Sequence, residues 1–449
     1  MWFRPKLLVG AAIVIVECCA FGTKAQTLSE SVQNAVSNNP KIAAFRDNRQ
    51  AVESELRRAR GLYYPQVDLR AGAGPEYSDN IDTRALGGKR QVLREVSGIL
   101  QQRLYDGGEA GSEVERQKER TLSAANRVAE NSQFTGLDAV EAHLDVIRQR
   151  EILRLADANI TAHRALLDRV QRRAAGGAGR QADISQAQSR LDQANAARSE
   201  TVAALRDAEA RYVRIVGVFP EAPAPAAIPV SAMPPTVDAA LQVISASNPT
   251  VLISNADIKA AEAEIGSAAS KFYPKVNLEL SGNRSNNLGG TPGLSQGALA
   301  EFVLRWNLYA GGQDKANREA AYGRYNQALD SRLDALREAE QQIRQAWTAR
   351  EATHDRVALL RSAVAANERV RTAYNDQFNA GQRTLFDLLD IQNEVFVTAA
   401  RLATIEQQEI FLAYRILALD GRMLSALQVQ LPPEADPSKP AAIPVYQKQ

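Results

Sequence analysis

Two short stretches of the chain alternate polar with apolar positions: Gln66-Val67-Asp68-Leu69-Arg70-Ala71 and Lys275-Val276-Asn277-Leu278-Glu279-Leu280. That period belongs to a strand with two unlike faces. Return strands are predicted over 93–105 and 297–309, after loops rich in Gly and Asn. Residues 41–61 and 250–271, just before each first strand, are rich in good helix formers and predict helices. Each ends at an aromatic-Tyr-Pro corner, Tyr63-Tyr64-Pro65 and Phe272-Tyr273-Pro274, where proline forbids helical continuation. Beyond Gly107 and Gly311 the chain turns rich in Ala, Arg, Gln and Glu for nearly 70 residues, which predicts helices of roughly 100 Å. After the turn at Gly177 heptad positions carry Ile184, Ala187, Leu191, Ala194, Leu205, Ala208, Tyr212 and Ile215, interrupted by Arg198 and Thr201. The later counterpart carries Leu388, Ile391, Val395, Thr398, Leu402, Ile405, Leu412, Ile416 and Leu419, with Glu409 the exception. Both read as coiled-coil seams.

These elements form one plan used twice. Asn39-Pro40 aligns with Asn248-Pro249, and Tyr64-Pro65 with Tyr273-Pro274, at an offset of 209. Leu104-Tyr105-Asp106-Gly107-Gly108 aligns with Leu308-Tyr309-Ala310-Gly311-Gly312 at 204, an offset that then holds without a gap to Gly217 and Gly421. Unbroken register over such a length points to long helices of fixed size, since loop-rich enzymes tolerate insertions. The implied organisation is a leader at 1–25, a first repeat at 26–217, a Pro/Ala-rich connector at 218–236, a second repeat at 237–424, and a tail at 425–449 expected to be disordered.

The leader has Arg4 and Lys6, an apolar run from Leu7 to Val16, and Thr23-Lys24-Ala25 as a small-x-small cleavage site. No later stretch approaches the roughly 20 apolar residues of a helical membrane span. Both cysteines, Cys18 and Cys19, lie inside the leader, so the mature chain has no disulfide and no Cys-based metal site. Lipidation at Cys18 or Cys19 stays open, although Glu17 stands where a lipobox carries a small residue. Losing Arg4, Lys6, Lys24 and Glu17 with the leader leaves acidic and basic residues equal in number, with no footprint for nucleic acid. Catalysis has no support: His143, His163 and His354 sit at unrelated spacings on helices, where they are expected at the surface. The Gly-Gly pairs lack the Lys-Ser or Lys-Thr of a phosphate loop. No cofactor and no metal site is expected.

Strands of about 10 residues suit a tilted bilayer span, and Tyr64, Tyr105, Tyr273, Trp306 and Tyr309 near their ends suit an aromatic belt. Two hairpins alone would leave open edges in lipid, so this reading requires several protomers to close one barrel. The duplicated helix-strand-strand-helix plan, the corners, the Leu-Tyr-x-Gly-Gly strand exits and the glycine-centred turns together resemble the TolC-like outer-membrane factors, over nearly all of 28–424. The resemblance implies an α+β membrane protein: a homotrimer whose twelve-stranded transmembrane β-barrel, set in outer-membrane lipid, continues into a long periplasmic α-helical barrel.

It also implies partners and a gate. The turns at Gly177-Ala178 and Gly381-Gln382 would be the tips where a periplasmic adaptor, or membrane fusion protein, docks. Gln382-Arg383-Thr384-Leu385-Phe386-Asp387-Leu388-Leu389-Asp390 resembles the family's gate segment. Asp387 and Asp390 would each form a ring of carboxylates, and Arg383 matches the gate-locking arginine, with Asp183 as candidate contact. Without the family, Asp387 and Asp390 read as acids at a helix start. Phe378 is a gate candidate that could equally pack the tip. The implied function is a passive exit duct served by an inner-membrane transporter. Type I secretion with an ABC exporter is favoured over proton-driven drug efflux because no convincing lipobox is present. A soluble periplasmic coiled-coil scaffold is the competitor from another class.

Overall fold

The computed structural model describes residues 26–177 and 179–439. The leader at 1–25, with Cys18 and Cys19, and the end of the tail at 440–449 lie outside the described residues. The first half runs α1 (Leu28–Asn38), α2 (Pro40–Arg60), β1 (Gln66–Ser78), β2 (Lys89–Tyr105), α3 (Glu109–Ala175) and α4 (Gln181–Val216). The second half runs α5 (Val237–Ser247), α6 (Pro249–Ala269), β3 (Lys275–Asn286), β4 (Leu294–Arg305), α7 (Gln313–Asn379) and α8 (Leu385–Leu419), and a short α9 (Met423–Ala426) follows. Helices α3 and α7 are each 67 residues long, about 100 Å at 1.5 Å per residue. The small helices α1 and α5, ahead of each Asn-Pro pair, were not anticipated. Thr27 and Glu30 form a capping box at the start of α1, a signal that was legible.

The repeated Asn-Pro pair has a local explanation. Asn39 and Asn248 cap α2 and α6 with their side-chain oxygens, and proline fills the first helical position, where no N–H is needed. Their side-chain amides reach back to the last turns of the coiled-coil helices: Asn39 Nδ2 donates to the Ile215 carbonyl at 3.1 Å and Asn248 Nδ2 to Leu419 at 2.7 Å. Each half thereby locks its entry helix to its own exit helix. The strand exits are equally specific. Gly107, Gly108, Gly311 and Gly312 all have positive φ, which lets the chain reverse from strand into helix within two residues. In the first copy Asp106 also accepts from the N–H groups of Gly108 and Ala110, at 2.9 and 2.8 Å. Ala310 stands at that position in the second copy and offers no such acceptor.

The four strands form one antiparallel sheet in the order β1-β2-β3-β4. Its register sorts the side chains cleanly. Val67 pairs with Leu100, Leu100 with Leu280, and Leu280 with Ala300, while Leu278 pairs with Phe302. That face is mainly apolar in the half nearer the helices, where Phe302 is 74% exposed in the protomer, and carries Arg94 and Arg284 towards the loops. The opposite face carries charge pairs, Arg70 with Glu95 at 3.6 Å and Arg305 with Glu279 at 3.1 Å. Among the described residues β1 and β4 have no neighbour on their outer edges. The helices below are open-ended too: α2, α3, α6 and α7 touch in that order, with α2 at one end and α7 at the other. The protomer is a strip of wall. Among the described residues no helix is long and apolar enough to cross a membrane.

Heptad positions Ala187, Leu191, Ala194, Ala208, Tyr212 and Ile215 are buried, as are Leu388, Val395, Ile405, Leu412, Ile416 and Leu419. The interruptions are accommodated by pairing: Arg198 meets Asp157 at 2.5 Å, and Glu409 meets His354 at 2.7 Å. Two histidines correct the surface expectation. His143 is fully buried, accepting at Nδ1 from Ser31 Oγ at 3.0 Å and donating from Nε2 to the Ala224 carbonyl at 2.9 Å. Burial pushes its pKa down, partly countered by the Ala224 bond, and the neutral ring satisfies both partners. His163 is also buried, and burial together with the charge of Arg190 pushes its pKa down.

The connector and the tail are both held by remote contacts. The Gln26 N–H donates to the Ala222 carbonyl at 2.9 Å and the Gln26 carbonyl accepts from the Ala224 N–H at 2.8 Å, while Tyr414 donates to the Ala227 carbonyl at 3.0 Å. The tail, expected to be disordered, is packed as far as Glu434. Val429 is buried, and Glu434 takes two hydrogen bonds from Arg46 at 2.9 and 3.0 Å. These contacts are long-range and leave no local trace in a Pro-rich segment.

Where the sheet meets the helices, Glu109 pairs with Lys271 and Lys275. Burial alone would raise its pKa, but the hydrogen bonds from the two lysines outweigh it and hold the carboxyl at about 2, against 4.5 ordinarily. A depressed carboxyl stabilises the fold above its unfolded pKa, and that stability is lost as pH falls from about 4.5 towards 2. The Glu109→Gln variant should be less stable at neutral pH by about 1–3 kcal/mol and should lack this acid-side loss. Denaturation midpoints against pH read both, and parallel profiles for the two proteins would refute it. Asn248→Ala removes a cap and strands a buried carbonyl, so a loss of about 2 kcal/mol is expected, larger than for the half-buried Asn39→Ala. Equal melting temperatures for the two variants would contradict that ranking.

Candidate gate and docking tips

Both helical hairpins reverse at the end far from the sheet. At the second tip Gly381, with φ of 76°, follows α7, its N–H bonded to the Phe378 carbonyl at 3.1 Å and that of Gln382 to Gln377 at 2.8 Å. This is the Schellman pattern, whose left-handed residue favours glycine. At the first tip Gly177 has φ of 78° and bonds to Ala174 at 3.0 Å, so the two turns share one construction. Ala178 lies outside the described residues.

Immediately after the second tip Thr384 caps α8. Its hydroxyl accepts from the Asp387 N–H at 3.3 Å and donates to Asp387 Oδ2 at 2.7 Å, while its own N–H meets the same carboxylate at 3.3 Å. The Thr384 hydroxyl is the main reason the Asp387 pKa lies below the usual range. Asp387 is thus a helix-capping acid, and it stays ionised while it caps. Arg383 lies over the Tyr374 ring at 4.1 Å, donates from Nε to Gln377 Oε1 at 3.0 Å, and reaches Asp387 at 3.8 Å. Within the protomer its ionic contact is Asp387, not Asp183.

Asp390 is held by Arg190 of α4 at 2.9 Å. Arg190 was missed from the sequence, where nothing marks a helix-surface arginine with the residue it faces. Phe378 is buried with Leu385, Leu388, Leu389, Leu167 and Val170 in one cluster. The Arg173 guanidinium covers its ring at 4.9 Å. Of the two roles its position allowed, it takes the packing role in the protomer. The five aromatics Tyr64, Tyr105, Tyr273, Trp306 and Tyr309 are all exposed, and all lie at the one end of the sheet that joins the helices. Trp306 Nε1 donates to the Phe272 carbonyl at 3.2 Å, which keeps the indole at that rim.

An amphipathic sheet with open edges, continued by paired helices about 100 Å long, defines the wall segment of an outer-membrane duct. The chain belongs to the outer membrane efflux protein family, whose model matches residues 31–218 and 240–416. It is 26% identical over 426 residues to the outer membrane efflux protein BepC of Brucella suis biovar 1, covering 93% of this chain and 91% of that protein. It is 26% identical over 293 residues to protein CyaE of Bordetella pertussis, covering 63% of this chain and 60% of that one. Among solved structures, the outer membrane protein VceC of Vibrio cholerae superposes with a TM-score of 0.75 at 15% identity, over 88% of this chain and 96% of that one. The protein is accordingly a TolC-like outer-membrane transport duct that reaches into the periplasm and performs no catalytic step.

Because Thr384 and Asp387 cap α8 reciprocally, Thr384→Ala should cost about 1 kcal/mol and fray the first turn of that helix. Hydrogen exchange at residues 385–388 should accelerate about fivefold while the middle of α8 is unchanged. Unaltered protection there would show that the cap is not holding the turn.

Proposed function

We propose that three copies close the β1 and β4 edges on one another into a twelve-stranded barrel, and that cargo passes passively down the helical tube beneath it. The observation carrying this reading is the four-stranded sheet, with a broad apolar band on one face and both edges unpaired among the described residues. A soluble scaffold would have no use for that face. Gly177, Ala178, Gly381 and Gln382 are proposed as the adaptor-docking tips. Arg383, Asp387 and Asp390 are proposed as the gate, with Asp183 of an adjoining copy as a further contact for Arg383.

Magnitudes decide how such a gate moves. An exposed pair such as Arg190–Asp390 contributes at most about 1 kcal/mol. Each fully buried leucine of the tip cluster contributes about 1.5–3 kcal/mol. That cluster joins Leu167 and Val170 of the first hairpin to Phe378, Leu385 and Leu389 of the second, so opening keeps the two hairpins of a copy together and breaks the weaker ionic contacts between copies.

The proposed supplier of cargo is an ABC exporter acting through a periplasmic adaptor, as in type I secretion. Glu17 before the leader cysteines supports this by disfavouring a lipid anchor. Drug or small-molecule efflux by a proton-driven pump is the second reading, favoured by the relative BepC, whose name is that of an efflux protein.

Single-channel recording of the purified protein tests the duct and the gate together. A small, cation-preferring conductance is expected, rising severalfold in Arg383→Ser. Asp390→Asn and Asp387→Asn should each shift the reversal potential towards anions, because each removes a negative charge and leaves an arginine, Arg190 or Arg383, unpaired. No conductance in any variant would sink the duct, and indifference of selectivity to both aspartates would sink the gate.

A further inference from the structure

The repeat relates contacts as well as residues. Positions up to the corners correspond at an offset of 209, and those beyond the strand exits at 204. Arg120 of α3 meets Glu55 of α2 at 2.8 Å, and their counterparts Arg324 of α7 and Glu264 of α6 meet at 2.5 Å. The bonds of Asn39 and Asn248 obey the same relation. One seam, however, has no twin within the chain. Helix α6 lies between α7 and α3, whereas among the described residues α2 packs on α3 alone of the long helices, and α7 has no entry helix beyond α6. Burial follows this difference. Ile253, Ala256 and Ala260 of α6 are buried, and their counterparts Ala44, Asp47 and Ala51 of α2 are exposed. Ser123 and Ala125 of α3 are buried, and their counterparts Gln327 and Leu329 of α7 are exposed.

The α3–α6 seam shows what the bare faces of α7 and α2 are shaped to meet. In it Arg127 pairs with Asp257 at 3.2 Å, and Thr250 donates to Glu130 at 2.6 Å. The counterparts of the first pair are Ser331 and Asn48, and those of the second are Asp334 and Lys41. Asp334 and Lys41 are opposite in charge and exposed, and neither enters an ion pair among the described residues. Asp138 of the same copy feels the Lys41 charge without pairing to it. Aspartate is shorter than the glutamate it replaces and lysine is longer than the threonine, so the new pair spans a similar separation. Nearer the sheet, the charged junction of Glu109 with Lys271 and Lys275 has the uncharged counterparts Gln313, Leu62 and Gln66. The ionic contact of the second seam therefore falls to Asp334 and Lys41.

We propose that α7 of one copy packs antiparallel on α2 of the next in the register of the α3–α6 seam, with Asp334 paired to Lys41 across the copies. This assignment rests on the closed-duct reading and adds to it the residue register of the wall between copies. Two independent features support it: the same chain already builds this seam once from the corresponding residues, and the only change that alters charge places an acid opposite a base. A second copy is the one occupant that carries both halves of the match, since its α2 offers what α7 lacks and its α7 offers what α2 lacks.

Native mass spectrometry of the purified protein reads its copy number, and crosslinking reads the register. Outside the leader the chain has no cysteine, so introduced pairs report alone. Asn48→Cys combined with Ser331→Cys should join copies through a short bismaleimide into a covalent trimer, and each substitution alone should not. Asn48→Cys combined with Glu338→Cys, two helical turns or about 10 Å out of register, should not link either. Asp334→Lys and Lys41→Asp should each speed dissociation of the trimer about tenfold, because each places like charges in the seam. The chain carrying both reversals should return to within about twofold of the wild type, with circular dichroism confirming that all three variants fold. A trimer that links through Glu338→Cys rather than Ser331→Cys, or whose dissociation is indifferent to the reversals or not rescued by combining them, would overturn the register and leave the duct standing. A protein that stays monomeric would overturn both.

Discussion

Backbone hydrogen bonding in hydrocarbon is the constraint on which this architecture depends. An N–H or C=O exposed to lipid costs several kcal/mol, so a four-stranded sheet with an apolar face cannot rest in a bilayer with β1 and β4 unpaired. Closure onto further copies removes both edges at once. The helical layer obeys the same geometry, because it too ends in unpartnered elements, α2 on one side and α7 on the other. Sheet and helices are one strip, and curling the sheet into a barrel curls the helices into a tube.

The strip must hold its shape over a great length with a thin core. Its helices bury mostly alanine and single leucines or valines, as at Ala139, Val140, Ala142 and Val146, so no thick hydrophobic centre stabilises it. Rigidity comes from register. Asn39 and Asn248 tie each entry helix to its exit helix at repeat-related positions. Ser31 adds a further tie in the first half, where it bonds both His143 and Tyr212 and so joins α1, α3 and α4. An insertion in α3 or α7 would move every later contact out of phase, which is the physical reason the two copies keep one offset from Gly107 to Gly217.

Features with a local cause could be read from the sequence, and features with a remote cause could not. The corners at Tyr64-Pro65 and Tyr273-Pro274, the positive-φ glycines and the strand alternation are all set by neighbouring residues, and each lies where the pattern placed it. Burial of His143 depends on Ser31 and Ala224, both far away in sequence. Packing of the tail depends on Arg46 reaching Glu434 across most of the chain. The gate segment falls between these cases. Its capping box was visible as Thr384 and Asp387, but the partner of Asp390 was not, since an arginine on a helix surface carries no mark of what it faces.

The asymmetry between the two copies gains its meaning from that mixture. Asp183, the counterpart of Asp387, follows Arg180, which provides no side-chain cap, whereas Asp387 follows Thr384 and is held by it. A capped aspartate has a fixed position and a depressed pKa, which are the two properties a charge at a constriction requires. The bland role of helix cap and the proposed role of gate charge are therefore not alternatives. The cap keeps the Asp387 carboxylate ionised and still, and Arg190 fixes the position of Asp390 through their ion pair.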